Sequence, residues 1–150
     1  MNNSTTYEQE LEQKGSLIYI TSGPSMRPFI RSGEDLVHLK AKQPGQRFSK
    51  YDVILYRRRS GQYVLHRIVK VLPDSYVLCG DNCVALEPGI TDTQVLAVLT
   101  GIIRKGKPIP IHAPGYRFLV KLWCALFVPR SLVMKLRARI LEALRRLRSR

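Results

Sequence analysis

The sequence predicts a mostly β domain followed by a basic helical tail. Three observations carry this. Runs of β-forming residues, 52–56 (DVILY), 63–72 (YVLHRIVKVL) and 95–103 (VLAVLTGII), are separated by frequent turn residues. Beyond Pro114-Gly115 the pattern changes: Leu132, Leu136, Ile140, Leu144 and Leu147 recur at spacings of three and four, the period of an amphipathic helix. The hydrophobic fraction, 45% of 150 residues, is enough for one packed domain with an appendage.

Residues 1–15 read as a polar tail or short helix, with three Glu and no Lys or Arg before Lys14. The β domain spans residues 16–110. It opens with a strand over 17–21, broken by Ser22-Gly23-Pro24, and a second apolar run over 36–39. A loop with Pro44 and Gly45 leads to the buried strand 52–56, and the turn 58–62 leads to the long strand 63–72. Alternation along that strand puts Val64, His66 and Ile68 on one face and Leu65, Arg67 and Val69 on the other. Pro73-Asp74-Ser75 turns the chain into strand 76–79, which ends at Gly80-Asp81-Asn82, and strand 95–103 closes the domain before 104–108. Residues 111–150 form the basic helical tail, with Pro129 and Ser131 as a break and cap before its main helix.

The formal net charge of +14 attracts anionic partners and is concentrated at the end of the chain. From Arg130 to Arg150 there are eight Lys or Arg against one acid, Glu142. Lys135, Arg137, Arg139, Arg145, Arg146 and Arg148 are the candidates for contact with an anionic membrane, and nucleic acid is the less favoured partner. The apolar stretch 118–128 contains Lys121 and is about half the length a spanning helix needs. With no secretory signal at the start, the expected location is the cytoplasm or, peripherally, the cytoplasmic face of the membrane. Cys79, Cys83 and Cys124 are an odd, sparse set that makes no disulfide framework. They also lack further ligands at zinc spacing, so neither metal nor other cofactor is expected.

Three stretches carry chemistry. Ser22-Gly23-Pro24-Ser25-Met26-Arg27-Pro28 can hold a serine on a tight turn near backbone donors. His66 lies on an apolar strand, and Gly80-Asp81-Asn82 follows another. Each alone has an ordinary structural reading, as a turn, a core histidine and a second turn. In this order, joined by Tyr51 to Tyr56 and by 98–107 (VLTGIIRKGK), they resemble the superfamily of signal peptidase I and the LexA-like autoproteases. Histidine at the base position resembles the endoplasmic-reticulum and archaeal branch of signal peptidases.

The resemblance implies a signal-peptidase/LexA-like folded β-sheet or barrel and a serine endopeptidase acting on a peptide or protein leader segment. Ser25 would be the nucleophile and His66 the base, with Ser25 Oγ within about 3 to 4 Å of a ring nitrogen. Asp81, inside the motif, is the expected orienter of the imidazole, and Glu87 is the alternative. Ser22, Gly23 and Met26 would shape the oxyanion site and position substrate. The sequence departs from the family pattern at Tyr51-Asp52, where Gly-Asp is usual, and at 32–35, which carries an extra acid. Two other readings stand beside this one. The first is an inactive or weakly active basic protein on the same fold that binds anionic membrane, nucleic acid or a partner. The second is a LexA-like regulatory autoprotease, for which few residues precede Ser25.

Overall fold

Strand β3 (Val53–Arg57) shows how the domain is built. Val53 and Leu55 enter one hydrophobic cluster with Leu17, Val37, Leu39, Leu65 and Ile102, whereas Ile54 and Tyr56 enter a second with Ile68, Tyr76, Leu78 and Val95. Successive strand residues point to opposite faces, so a strand buried on both must be apolar throughout. That is why DVILY shows no polar alternation. Each such side chain contributes about 1.5–3 kcal/mol on burial.

The computed structural model describes residues 7–148, with side chains through Arg146. The chain runs through α1 (Tyr7–Lys14), β1 (Ser16–Ile20), β2 (Asp35–Ala41), β3, β4 (Tyr63–Val71), β5 (Tyr76–Cys79), β6 (Glu87–Ile90), β7 (Val95–Arg104), β8 (Lys107–Ile109), α2 (Pro114–Ala125) and α3 (Phe127–Arg148). The strands form one antiparallel sheet in the order β1-β2-β7-β3-β4-β5-β6. β7 takes β2 along one edge, and pairs with β3 through Val95–Val98 and with β8 through Ile102–Arg104. The described sheet is open: the path runs from β1 to β6 without returning, so the barrel form of the expectation is not seen.

The predicted strands are present, and β6 and β8 join them. β6 carries Pro88 and Gly89, both poor strand formers, and is held by pairing with β5. The alternation along β4 places Leu65 in the first cluster and Ile68 in the second. It ends at a register shift between Ile68 and Lys70, so Lys70 does not continue the His66 face regularly.

The tail differs from the expected break at Pro129. The two helices meet at Leu126, and Pro129 is the third residue of α3. There, in the first turn, its missing N–H costs no hydrogen bond. Ser131 does not cap α3, because its hydroxyl donates back to the Val128 carbonyl at 2.8 Å. α2 packs on the domain through the buried Val120 and through Tyr116 and Trp123, whose rings meet Phe29 edge-on. α1 is a docked helix: Leu11 is buried, and the Tyr7 ring lies 5.4 Å from that of Tyr19 and 5.2 Å from that of Tyr63. Residues 1–6 of the expected N-terminal tail lie outside the described residues.

Candidate active site

The turn after β1 carries Ser25. Gly23 has φ +84°, a left-handed conformation natural to glycine, and Arg27 N–H closes on the Pro24 carbonyl at 3.2 Å. Met26 anchors the turn by burying its side chain in the first cluster. The Ser25 carbonyl accepts the Asn82 N–H at 2.7 Å, which ties this turn to Gly80-Asp81-Asn82 at the end of β5. Among the described residues, the Ser25 N–H has no protein acceptor and remains available to a developing oxyanion.

His66 sits in the middle of β4 opposite Ile54 and is buried. Ser22, Gly23, Ser25, Met26, His66 and Cys83 line one cleft, with about 400 Å³ of space for water-sized contents, walled further by Tyr7, Tyr19 and Tyr63. Ser25 and His66 are thus brought to one site, although no hydrogen bond joins their side chains in this structure. Gly80 sets the spacing between them. A Cβ there would stand 2.7 Å from the Ser25 carbonyl oxygen, 2.7 Å from Cys83 Sγ and 3.0 Å from His66 Nε2. The Nε2 edge of the imidazole therefore faces the Ser25–Gly80 junction.

The other ring nitrogen faces an acid, and that acid is Glu87. Its Oε1 lies 3.2 Å from His66 Nδ1, and the Tyr56 hydroxyl makes a longer 3.5 Å contact with the same nitrogen. Glu87 is held in turn by Arg58, whose Nε donates to Oε2 at 2.8 Å while a second guanidinium nitrogen meets Oε1. Burial pushes the His66 pKa down, and the nearby Arg58 charge adds to this against the opposing pull of Glu87. Burial alone would raise the Glu87 carboxyl, but hydrogen bonds from Arg58 and Tyr56 hold it below the ordinary carboxylate value. The result is a neutral imidazole beside an ionised carboxylate at neutral pH.

Asp81 does not take the place expected of it. Both carboxylate oxygens are engaged by Arg67, from Nε and from a terminal nitrogen, each at 2.7 Å. Asp81 and Arg67 are each only 3% exposed. His66 and Arg67 are neighbours on a strand and point to opposite faces, so an acid paired with one is turned away from the other. The Asp81 carbonyl accepts Trp123 Nε1 at 2.8 Å and a guanidinium nitrogen of Arg130. Asp81 thus ties β4, the β5 turn and both C-terminal helices together.

Compared with known proteins, the chain matches no family model, no curated protein and no solved structure. Tyr51, where the pattern the sequence resembles has glycine, has φ +83°, a left-handed conformation. Its N–H donates to the Ile68 carbonyl and its own carbonyl accepts Arg67, both at 2.8 Å, which holds this conformation in place. The extra acid, Glu34, is exposed and pairs with Arg31, while Asp35 is buried against Arg104.

Arg58, Tyr56 and Cys83 were not anticipated as site residues. Arg58 reads as part of a turn and Tyr56 as a strand residue, and their convergence on Glu87 depends on the pairing of β3 with β4 and β5 with β6. Among the described residues, no cluster of three His, Cys, Asp or Glu is arranged to hold a metal ion.

Proposed function

We propose that this protein is a serine endopeptidase of the signal-peptidase type, acting on an extended leader segment. The observation that carries the reading is the two-sided environment of His66: Glu87 at Nδ1, and the Ser25 turn toward Nε2. In this reaction Ser25 Oγ attacks the substrate carbonyl carbon, and His66 Nε2 takes the hydroxyl proton. The tetrahedral oxyanion accepts the Ser25 N–H and a second donor, for which the Ser22 hydroxyl, lining the same cleft, is the candidate. Collapse breaks the peptide C–N bond as His66 passes its proton to the leaving amine. Water, deprotonated by His66, then hydrolyses the acyl-enzyme and restores Ser25. Glu87 keeps the Nδ1 proton in place and stabilises the imidazolium formed in both steps. Tyr19, Tyr63 and Val64 give the cleft apolar walls that suit an extended apolar segment.

The test is labelling with a fluorophosphonate. Wild type should acquire one covalent adduct on Ser25, Ser25→Ala should acquire none, and His66→Ala should label far more slowly. Failure of the folded wild type to label would leave the inactive binding protein as the better reading.

A further inference from the structure

The C-terminal helix α3 leaves its apolar side uncovered. Leu132, Val133, Leu136, Ile140 and Leu144 are 62, 66, 60, 51 and 56% exposed, although they repeat at the spacing of a buried stripe. The simplest account of such a stripe is that it covers the β domain. The exposures exclude this beyond Ser131, the one buried side chain in the described part of α3. Phe118, Leu119, Leu122 and Leu126 extend the uncovered apolar surface back through α2 and the junction.

The charges around the stripe decide what fits it. At about 100° per residue, these five residues occupy a sector roughly 120° wide, and Leu141, also exposed, lies about 60° beyond it. Lys135, Arg139 and Arg146 border one edge and Arg137 borders the other, with Arg145 further round. A single acid, Glu142, offsets them and pairs with Arg146. Arg130 is spoken for by the Asp81 carbonyl and the Trp123 ring. A second copy packed on the stripe would set basic edges against basic edges with little acid to compensate. Nucleic acid would engage the charges and leave the leucines in water. A bilayer bearing anionic lipid satisfies both, because it takes the apolar sector below its headgroups while the bordering cations remain at headgroup level. Among the described residues no helix is long and apolar enough to cross a membrane, so the contact is one of lying on the surface.

We propose that α3 seats this protein on an anionic bilayer surface, with Leu132, Leu136, Ile140 and Leu144 buried at the interface and Lys135, Arg137 and Arg139 on anionic headgroups. This does not rest on the peptidase reading, and its test uses the Ser25→Ala protein so that turnover plays no part. The full chain is co-sedimented with phosphatidylcholine vesicles with and without phosphatidylglycerol. Binding is expected only with the anionic lipid and should weaken with added salt. Each basic residue removed from the surface should lower partitioning about fivefold, so Lys135→Gln/Arg137→Gln/Arg139→Gln should bind on the order of a hundredfold less. Leu136→Glu/Ile140→Glu should abolish binding, with the helical circular dichroism of each variant showing that the chain still folds. Equal binding to neutral vesicles, or binding to neither, would overturn the proposal. So would a dimer broken by Leu136→Glu/Ile140→Glu, or duplex DNA binding tighter than vesicle binding and indifferent to that substitution.

Discussion

Glu87 Oε1 stands 3.2 Å from His66 Nδ1, while Asp81, nearer in sequence to the glycine turn, has both carboxylate oxygens on Arg67. The two acids therefore divide between the imidazole and the fold, and their substitutions should separate cleanly. Glu87→Gln should keep most of the protein's stability and lower turnover by about 10²- to 10⁴-fold, the range lost when a general base loses its orienting acid. Asp81→Asn should do the reverse. Leaving Arg67 as an uncompensated buried charge should cost about 3–5 kcal/mol in urea unfolding. Measuring turnover and unfolding on both variants decides the division, and a stable, inactive Asp81→Asn protein would return the orienting role to Asp81.

The pH dependence follows from the same pair. Burial holds the folded His66 pKa below its ordinary value of 6.5, so the imidazole is neutral in neutral solution. Activity should be flat near neutrality and fall on an acid limb whose midpoint lies below 6.5. Stability has the same sign. Below 6.5 the unfolded chain binds a proton that the folded chain resists, so the His66 contribution is present at higher pH and is lost as pH falls through the folded value. Removing the Glu87 charge, which favours the imidazolium, should move the limb further toward acid in Glu87→Gln. A shift toward base would contradict the arrangement.

Gly80 offers a steric test. Its Cβ position is 2.7 Å from the Ser25 carbonyl and 3.0 Å from His66 Nε2, so Gly80→Ala must displace one of them. We expect a loss of about 1–3 kcal/mol from overpacking and a large fall in labelling of Ser25. The thiol of Cys83 is also 2.7 Å away but sits at the end of a side chain that can swing aside. Adding Cys83→Ala to Gly80→Ala should therefore not restore labelling. Rescue by that second substitution would place the clash at the thiol.

At Tyr51 the usual order of residue preference should invert. An L-residue in the left-handed region carries a cost of about 1–2 kcal/mol that glycine avoids. Tyr51→Gly should thus be more stable than Tyr51→Ala by about 1 kcal/mol, as read from urea midpoints, whereas in an ordinary strand or loop alanine is the better residue. If alanine proves the more stable, the conformation at 51 is not the constraint described.

Strands β1 to β5 and β7, the Ser25 turn and the basic amphipathic tail were legible in the sequence because each is written in local pattern. Apolar alternation along β4, continuous apolar burial in β3, glycine and proline at the turn and a leucine repeat in α3 all act within a few residues. β6 was not legible, since Pro88 and Gly89 argue against a strand that only pairing with β5 creates.

The choice of acid was decided in the tertiary structure. Asp81 and Glu87 both follow β5 in sequence. Which of them meets His66 depends on which face of β4 each approaches, and Arg67, one residue along on the other face, captures Asp81. The same holds for the tail. Its amphipathic period belongs to the sequence, but whether the leucines cover the domain or face outward is a matter of where α2 ends and how α3 leaves Ser131. Local pattern sets which side chains share a face, because backbone geometry repeats over two or 3.6 residues. What meets that face is set by chain segments far away in sequence, whose approach no local period encodes.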